Sequence, residues 1–328
     1  MNLKRYLTIA GPAMKTFVLY RKRTFCPLLW DSVFIDQYGN VFTCCHYQPG
    51  VLGNIYSRDL SWIWTKNSQL SLFRWMSLNR CLPCFHGCTL LSASQKASKA
   101  SSLNVLRYPK RLRILFGEFC NVDCIMCDQD HHSKVVLDQE VVKKNINFSM
   151  IEEIDFQGGE ILAMKNAREM YLWLTGGLHK KVNLITNGVL INDEWADHLV
   201  RGSNWIQISA NAATRETHET INRNSSFARV VDNIRKLTRL KNEYRSNVNI
   251  VYKFTIVPEN IHEVSDAIKL ADDLGCDQIA FGFDASMPRY LQDERQLKET
   301  IKSRIARIRN NGLKIEIENK RLEQLGLL

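Results

Sequence analysis

The sequence predicts an α/β protein: a partial (β/α)6 TIM-like barrel preceded by a small cysteine-rich domain. Three observations carry this. Strand and helix patterns alternate six times beyond residue 105. The residues with chemical potential in that region fall at the C-terminal ends of the predicted strands, where such barrels hold their active sites. Six of the ten cysteines lie between Cys26 and Cys88, ahead of the alternation.

Arg111–Phe119 is a compact apolar run, succeeded by a cysteine loop and a helix near Gln139–Phe148. Ile151–Gln157 reads as a strand ending in Gly158-Gly159, and Met164–Thr175 as a helix. Lys181–Thr186 is a strand ending in Asn187-Gly188, and Asn192 caps a helix running to about Val200. After the strand Trp205–Ser209, Phe227, Val230, Val231, Ile234 and Leu237 recur at helical spacing. Val248–Val257 is the fifth strand, and Asn260 with Glu263 has the form of a capping box ahead of Val264, Ile268 and Ala271. Gln278–Phe283 is the sixth strand; a last helix through Leu297, Ile301, Ile305 and Ile308 stops at Asn311-Gly312 before Leu313–Ile317. Repeated strand-then-helix units imply parallel strands and right-handed crossovers. About 210 residues fall short of the roughly 250 of a full eightfold barrel.

Residues 92–102 are small and polar without apolar period, which divides the chain into a first domain 1–91, a linker 92–105 and a barrel 106–328. Hydrophobic content of 45% and charged content of 24% are ordinary for a globular chain. No run reaches the length of a membrane span. Gly11-Pro12 and the basic run Arg21-Lys22-Arg23 argue against a secretory leader, so a cytoplasmic location without membrane association is expected. Ten cysteines in such a chain point to thiol or metal chemistry rather than a disulfide frame. Cys276, alone at the start of a strand, reads as a buried core cysteine. The formal charge of +10 reflects basic stretches that read mostly as solvated helix faces, with an acidic substrate or nucleic acid as the alternative. Phosphate-binding P-loop, Ser-His-Asp and dinucleotide glycine motifs do not occur.

Cys120, Cys124 and Cys127 bring three thiolates into one loop directly after the first barrel strand. A four-iron cube has four corners, so three protein thiolates leave one iron open to a small chelating molecule. The rival is a zinc site with His131 or His132 as fourth ligand, although zinc ligands usually come as two short-spaced couples.

The spacing of these cysteines, with the motifs at the later strand ends, resembles the radical S-adenosylmethionine (SAM) superfamily over about residues 108–290. The resemblance implies that SAM occupies the open iron and that an electron from the cube cleaves it to methionine and a 5′-deoxyadenosyl radical, which abstracts hydrogen from substrate. Gln157-Gly158-Gly159-Glu160 is similar to the segment receiving the SAM amino group, where glycines let backbone approach ligand. Thr186-Asn187 and Ser209-Ala210-Asn211 match positions where relatives place polar groups near the ribose and carboxylate. Met126 stands where an aromatic residue often packs near the adenine, and its polarisable side chain suits the same contact. The resemblance further implies a reductant such as flavodoxin or ferredoxin.

The first domain is similar to a SPASM module, the auxiliary-cluster domain of many radical SAM enzymes. The residues are Cys26, Gly39 before Cys44 on a hairpin of Val33–Ile35 and Val41–Thr43, Leu52-Gly53-Asn54-Ile55, Ile63-Trp64, and Cys81-x-x-Cys84 with Cys88. It departs from the family by preceding the radical SAM domain and by its shortness. One auxiliary 4Fe–4S cluster is therefore implied, with Cys26, Cys44, Cys81, Cys84 and Cys88 competing for four positions; a four-cysteine zinc ribbon is the alternative. Trp30, Trp62, Trp64, Trp75 and Trp173 read as core. His131, His132, Lys253, Asp284 and Phe281-Gly282-Phe283 are candidates for a substrate cavity, with loop solvation or strand packing as the simpler reading. The expected substrate is a small molecule or peptide; an RNA-modifying radical SAM enzyme and a non-catalytic zinc module are the rivals.

Overall fold

A computed structural model describes residues 26–44, 50–79, 82, 106–309 and 312–328. The linker 92–105, and Cys45, Cys81, Cys84 and Cys88, lie outside the described residues. The chain divides into two compact units, one of residues 1–115 with 136–155, the other of 116–135 with 156–328.

In the first unit the expected hairpin pairs Ser32–Ile35 with Asn40–Phe42, with Phe34 opposite Phe42 and Ile35 opposite Val41. Its turn is closed by the Asp36 carboxylate, which accepts from Tyr38 N and Asn40 N, and Gly39 takes the left-handed φ of 78° the turn demands. Gly53–Asn54 adds a third strand. On the other side Arg111–Leu115 runs parallel to Ser32–Ile35, with Ser32 opposite Arg111 and Ile35 opposite Ile114. Helices Leu60–Thr65, Ser68–Leu78 and Gln139–Asn145 start at Asp59, Asn67 and Asp138, whose side chains accept from backbone N–H groups of the first turn. Trp30 and Trp64 are buried here, but Trp62 and Trp75 are about half exposed, which corrects the expectation that the module's tryptophans are all core. Both sit on outer faces of amphipathic helices, where Arg58 stacks on Trp62.

In the second unit Val182–Thr186, Trp205–Ser209, Asn249–Ile256, Gln278–Phe283 and Glu316–Ile317 form parallel strands in that order. The α/β class with a mostly parallel sheet is as expected, and all six expected barrel strands are present, Glu153–Gln157 passing from the first unit into the second. Helices Asp193–Gly202 and Phe227–Tyr244 begin at the side-chain caps of Asn192 and Ser226 and bury Ala196, Leu199, Val200, Val230, Ile234 and Leu237. Two local expectations change. The helix after Glu160 ends at Leu172 and closes through a π turn, Trp173–Gly177. The last long helix is present as Arg295–Arg309, with Ile301, Ile305 and Ile308 buried. Helices Arg215–Ile221, Met287–Asp293 and Asn319–Leu325, too short for a clear period, stand in stretches that the sequence left unassigned. Asn260 and Glu263 form no capping box: Asn260 bonds Asn211 O and Thr255 O, while Glu263 accepts from Ala213 N, Thr214 and Thr217. Long-range partners have taken the side chains that a local cap would use. Cys276 is buried as expected, and burial pushes its thiol up to about 12. No helix among the described residues is long and apolar enough to cross a membrane.

Candidate functional site

The cysteine loop leaves the strand Arg111–Leu115 and is anchored within the second unit at three points. Gly159 N donates to Gly117 O and Glu160 N to Phe119 O, so the strand end after Gln157 grips the loop's entry. A Cβ on Gly159 would lie 2.1 Å from Phe119 O and 2.3 Å from Glu118 O. This glycine therefore permits backbone to meet backbone at the base of the loop, and Gly158 holds a φ of 143°. The third anchor is a two-residue ladder, Asp123–Cys124 antiparallel to Asn222–Arg223.

The three thiols are not in disulfides. Burial raises all three pKa values, that of Cys124 to about 12, and each of Cys120 and Cys127 pushes Cys124 further up by its charge. Loading iron must therefore release protons. Cys124 Sγ donates to Asn222 Oδ1 at 3.2 Å, and Asn187 Nδ2 points to Cys120 Sγ at 3.7 Å. Among the described residues no three His, Cys, Asp or Glu side chains converge on a point as one metal ion requires.

Around the loop the predicted cofactor residues separate into two groups. Met126, Gly158, Gly159, Asn187 and Ser209 are half-buried at the loop and strand ends. Glu160, Thr186 and Asn211 are buried and occupied internally. The Glu160 carboxylate accepts from Leu162 N at 3.0 Å, Thr186 Oγ1 at 2.9 Å and Asn187 N at 2.7 Å, and burial raises its pKa despite these donors. Both its oxygens are engaged, so it braces two strand ends. Asn211 takes the left-handed φ of 58°; its Oδ1 accepts from Thr255 N and its Nδ2 donates to Asn222 Oδ1.

His131 is buried with Nδ1 3.0 Å from Asp123 Oδ1, and its carbonyl accepts from Cys120 N. Asp123 also pairs with Arg223 at 2.7 Å. His131 thus braces the loop, while His132 is exposed. Asp284 is held in its own turn by Ser286 N. Phe281 is core against Phe254, Gly282 lies under Lys253, and Arg321 covers Phe283. Sequence reasoning did not single out Asn222, Asn121, which accepts from Asn187 Nδ2, or His218, buried between Ala210 O and Ser225 Oγ. Their only signal is a run of polar residues with no period, which any loop carries.

In the first unit Cys26 and Cys44 are half-buried, with Cys26 N donating to Ser77 Oγ. Cys44 borders a cavity of about 200 Å³ that also meets Arg111, Arg113, Glu153 and Asp155, and there Arg113 pairs with Asp155 at 3.0 Å.

Comparison with known proteins finds two matching stretches of the chain. Residues 114–271 match the model of the radical SAM superfamily, and residues 26–89 match that of an iron–sulfur cluster-binding domain, SPASM. The "Probable GTP 3′,8-cyclase" of Saccharolobus islandicus (strain Y.N.15.51 / Yellowstone #2) is 27% identical over 174 residues, 51% of this chain and 54% of the relative. The protein of the same name from Methanocaldococcus jannaschii is 23% identical over 173 residues, 51% and 56% respectively. The chain spans about half the length of these curated relatives. Among solved structures, Streptococcus suis SuiB bound to the precursor peptide SuiA aligns with a TM-score of 0.49 and 13% identity over 90% of this chain and 72% of that one. The AdoMet-bound structure of anSMEcpe aligns with a TM-score of 0.45 and 19% identity over 64% of each chain. The chain thus carries a radical SAM superfamily domain, with 4Fe–4S clusters and SAM as its cofactors, and an iron–sulfur cluster-binding SPASM domain ahead of it.

Proposed function

We propose that this chain is an oxidoreductase that cleaves SAM reductively at a cluster held by Cys120, Cys124 and Cys127, in order to abstract hydrogen from a small-molecule or peptide substrate. The observation that carries it is the loop itself: three thiols within reach of one another's charge, gripped at the base through Gly159 and Glu160. When bound, the cube supplies one electron and SAM supplies the hydrogen-abstracting group.

The protein's own residues orient and exclude. Glu160 and Thr186 fix the strand ends on which Asn187 stands, and Asn187 reaches the cysteine loop through Asn121. Asn211, Asn222 and Asn260 tie the end of Trp205–Ser209 to the loop and to the neighbouring strand. The half-buried Met126, Gly158, Gly159, Asn187 and Ser209 are the residues left to meet SAM. Cys26, Cys44, Cys81, Cys84 and Cys88 are the candidates for the auxiliary cluster, in an electron-transfer role served by a flavodoxin- or ferredoxin-type reductant. The curated relatives' name, a nucleotide cyclase, supports a small molecule over a peptide.

The test is anaerobic reconstitution and then addition of dithionite and SAM. The wild-type chain should form 5′-deoxyadenosine and the Cys124→Ala variant should form essentially none. Equal yields from both would end the proposal.

A further inference from the structure

The parallel sheet of the second unit has one face sealed and one face open. In Asn249–Ile256 the side chains of Tyr252, Phe254 and Ile256 are fully buried, while Lys253 and Thr255 between them are only half-buried. In Trp205–Ser209 the same alternation leaves Gln207 and Ser209 on the open side. Register places Lys253 beside Ser209 on one flank and Ala280 on the other, with Thr255 beside Gly282. The open face is thus polar where the other is core, and Lys253 stands at its centre.

Lys253 is anomalous there. No described residue forms an ion pair or hydrogen bond with its ammonium group. Its carbonyl accepts from Ala210 N and Asn211 N, which ties it to the strand end leading to the cofactor residues. Burial lowers its pKa to about 8, with Arg321 close enough to push it down and Glu318 close enough to push it up. The Glu318 carboxylate accepts from Phe281 N at 3.2 Å, and Arg321 lies over the Phe283 ring and donates to Gln324. The one carboxylate that acts on Lys253 is thus already partly engaged. Gly282 keeps the space open: a Cβ there would sit 3.3 Å from Lys253 Nζ and 3.5 Å from Thr255 Oγ1. Desolvating an ammonium without a hydrogen-bonded partner costs free energy that folding alone does not return. A bound anion would return it.

We propose that Lys253 and Arg321 form a subsite for an anionic group, phosphate or carboxylate, of the substrate. The inference rests on the reading of this sheet end as a radical SAM active site and adds the class of molecule it acts on: one that carries its negative charge next to Ser209 and Gly282. Neutral sugars are excluded by it.

Pyridoxal 5′-phosphate tests the subsite on the reconstituted full chain. The Lys253 amine condenses with the aldehyde and releases water, and borohydride then delivers hydride to the imine carbon, leaving a secondary amine found by peptide mass. An amine with a pKa lowered to about 8 is free at neutral pH roughly two orders of magnitude more often than an ordinary lysine. Reactivity alone therefore does not separate the readings, but the phosphate does. Lys253 should label about tenfold faster with pyridoxal 5′-phosphate than with phosphate-free pyridoxal, as expected for a charge-assisted contact. Inorganic pyrophosphate or succinate should slow the labelling, which of the two competes better telling phosphate from carboxylate. Arg321→Gln should lose most of the advantage, and Lys253→Met should lose the adduct. Equal rates for the two aldehydes would overturn the proposal. So would full protection by SAM alone, because the lysine would then serve the cofactor's carboxylate. Labelling requires neither iron nor SAM cleavage, so phosphate-guided labelling of a chain that forms no 5′-deoxyadenosine would refute the enzymatic reading and leave the subsite standing.

Discussion

The Glu160 carboxylate, wholly out of water, accepts from Leu162 N, Thr186 Oγ1 and Asn187 N. Glu160→Gln puts an NH2 group against one of these N–H donors and strands it in the interior. The expected cost is about 2 kcal/mol, read as a fall of a few degrees in the thermal midpoint of the apo chain; an unchanged melt would show that the brace contributes little. Asn222 acts on the other side of the loop, meeting Cys124 Sγ at 3.2 Å and Asn211 Nδ2 at 3.1 Å. Groups that orient a metal's ligands are typically worth about ten- to a hundredfold in metal affinity. Asn222→Ala should therefore shed iron faster under chelator challenge and shift the reduced cluster's EPR signal, whereas retention and spectrum matching wild type would remove Asn222 from any role at the cluster.

Elements fix where those residues stand. Gly159 lies where the strand Glu153–Gln157 runs out onto the cysteine loop, and any Cβ there collides with two backbone carbonyls. Backbone cannot yield as a flexible side chain does, so Gly159→Ala should displace the loop and cost the chain the iron of its radical SAM cluster. Gly176, in the π turn Trp173–Gly177, has no atom within 4 Å of such a Cβ. Gly176→Ala should keep full iron and gain about 0.4–1 kcal/mol by restricting the unfolded chain; iron analysis of the pair gives the contrast. The helix Arg215–Ile221 carries a pH dependence through His218, whose buried ring lies 2.7 Å from Ala210 O and 2.8 Å from Ser225 Oγ. Burial holds its pKa below the ordinary histidine value of 6.5. The unfolded chain therefore binds the proton first as pH falls through 6.5, and this contribution to stability is present above that pH and lost below it. Urea midpoints measured from about pH 7.5 down to about pH 5 should fall less steeply in His218→Gln than in wild type, and parallel slopes would contradict the assignment.

For the whole molecule, two family matches in separate stretches of sequence imply two clusters. Anaerobically reconstituted chain should hold about eight irons, as two cubes of four. Replacing Cys120, Cys124 and Cys127 together by alanine should leave about four, and so should replacing Cys26 and Cys44. Zinc in place of iron, or about four irons in the wild type, would remove the auxiliary cluster.

The sequence by itself determined the six barrel strands, their helices and the cysteine triplet, because a two- or 3.6-residue period and the spacing of thiols are properties of a short stretch of chain. Trp205–Ser209 and Gln278–Phe283 have the bounds that their residues indicate. Tertiary structure decided what the polar residues do. Cys124 and Asn222 are 98 residues apart, Glu263 and Thr214 are 49 apart, and no local pattern announces either pair. Asn260 and Glu263 look like a cap in sequence. That reading gave way because a buried polar group takes whichever partner the packed strand ends bring within about 3 Å, and only the folded chain sets which one that is.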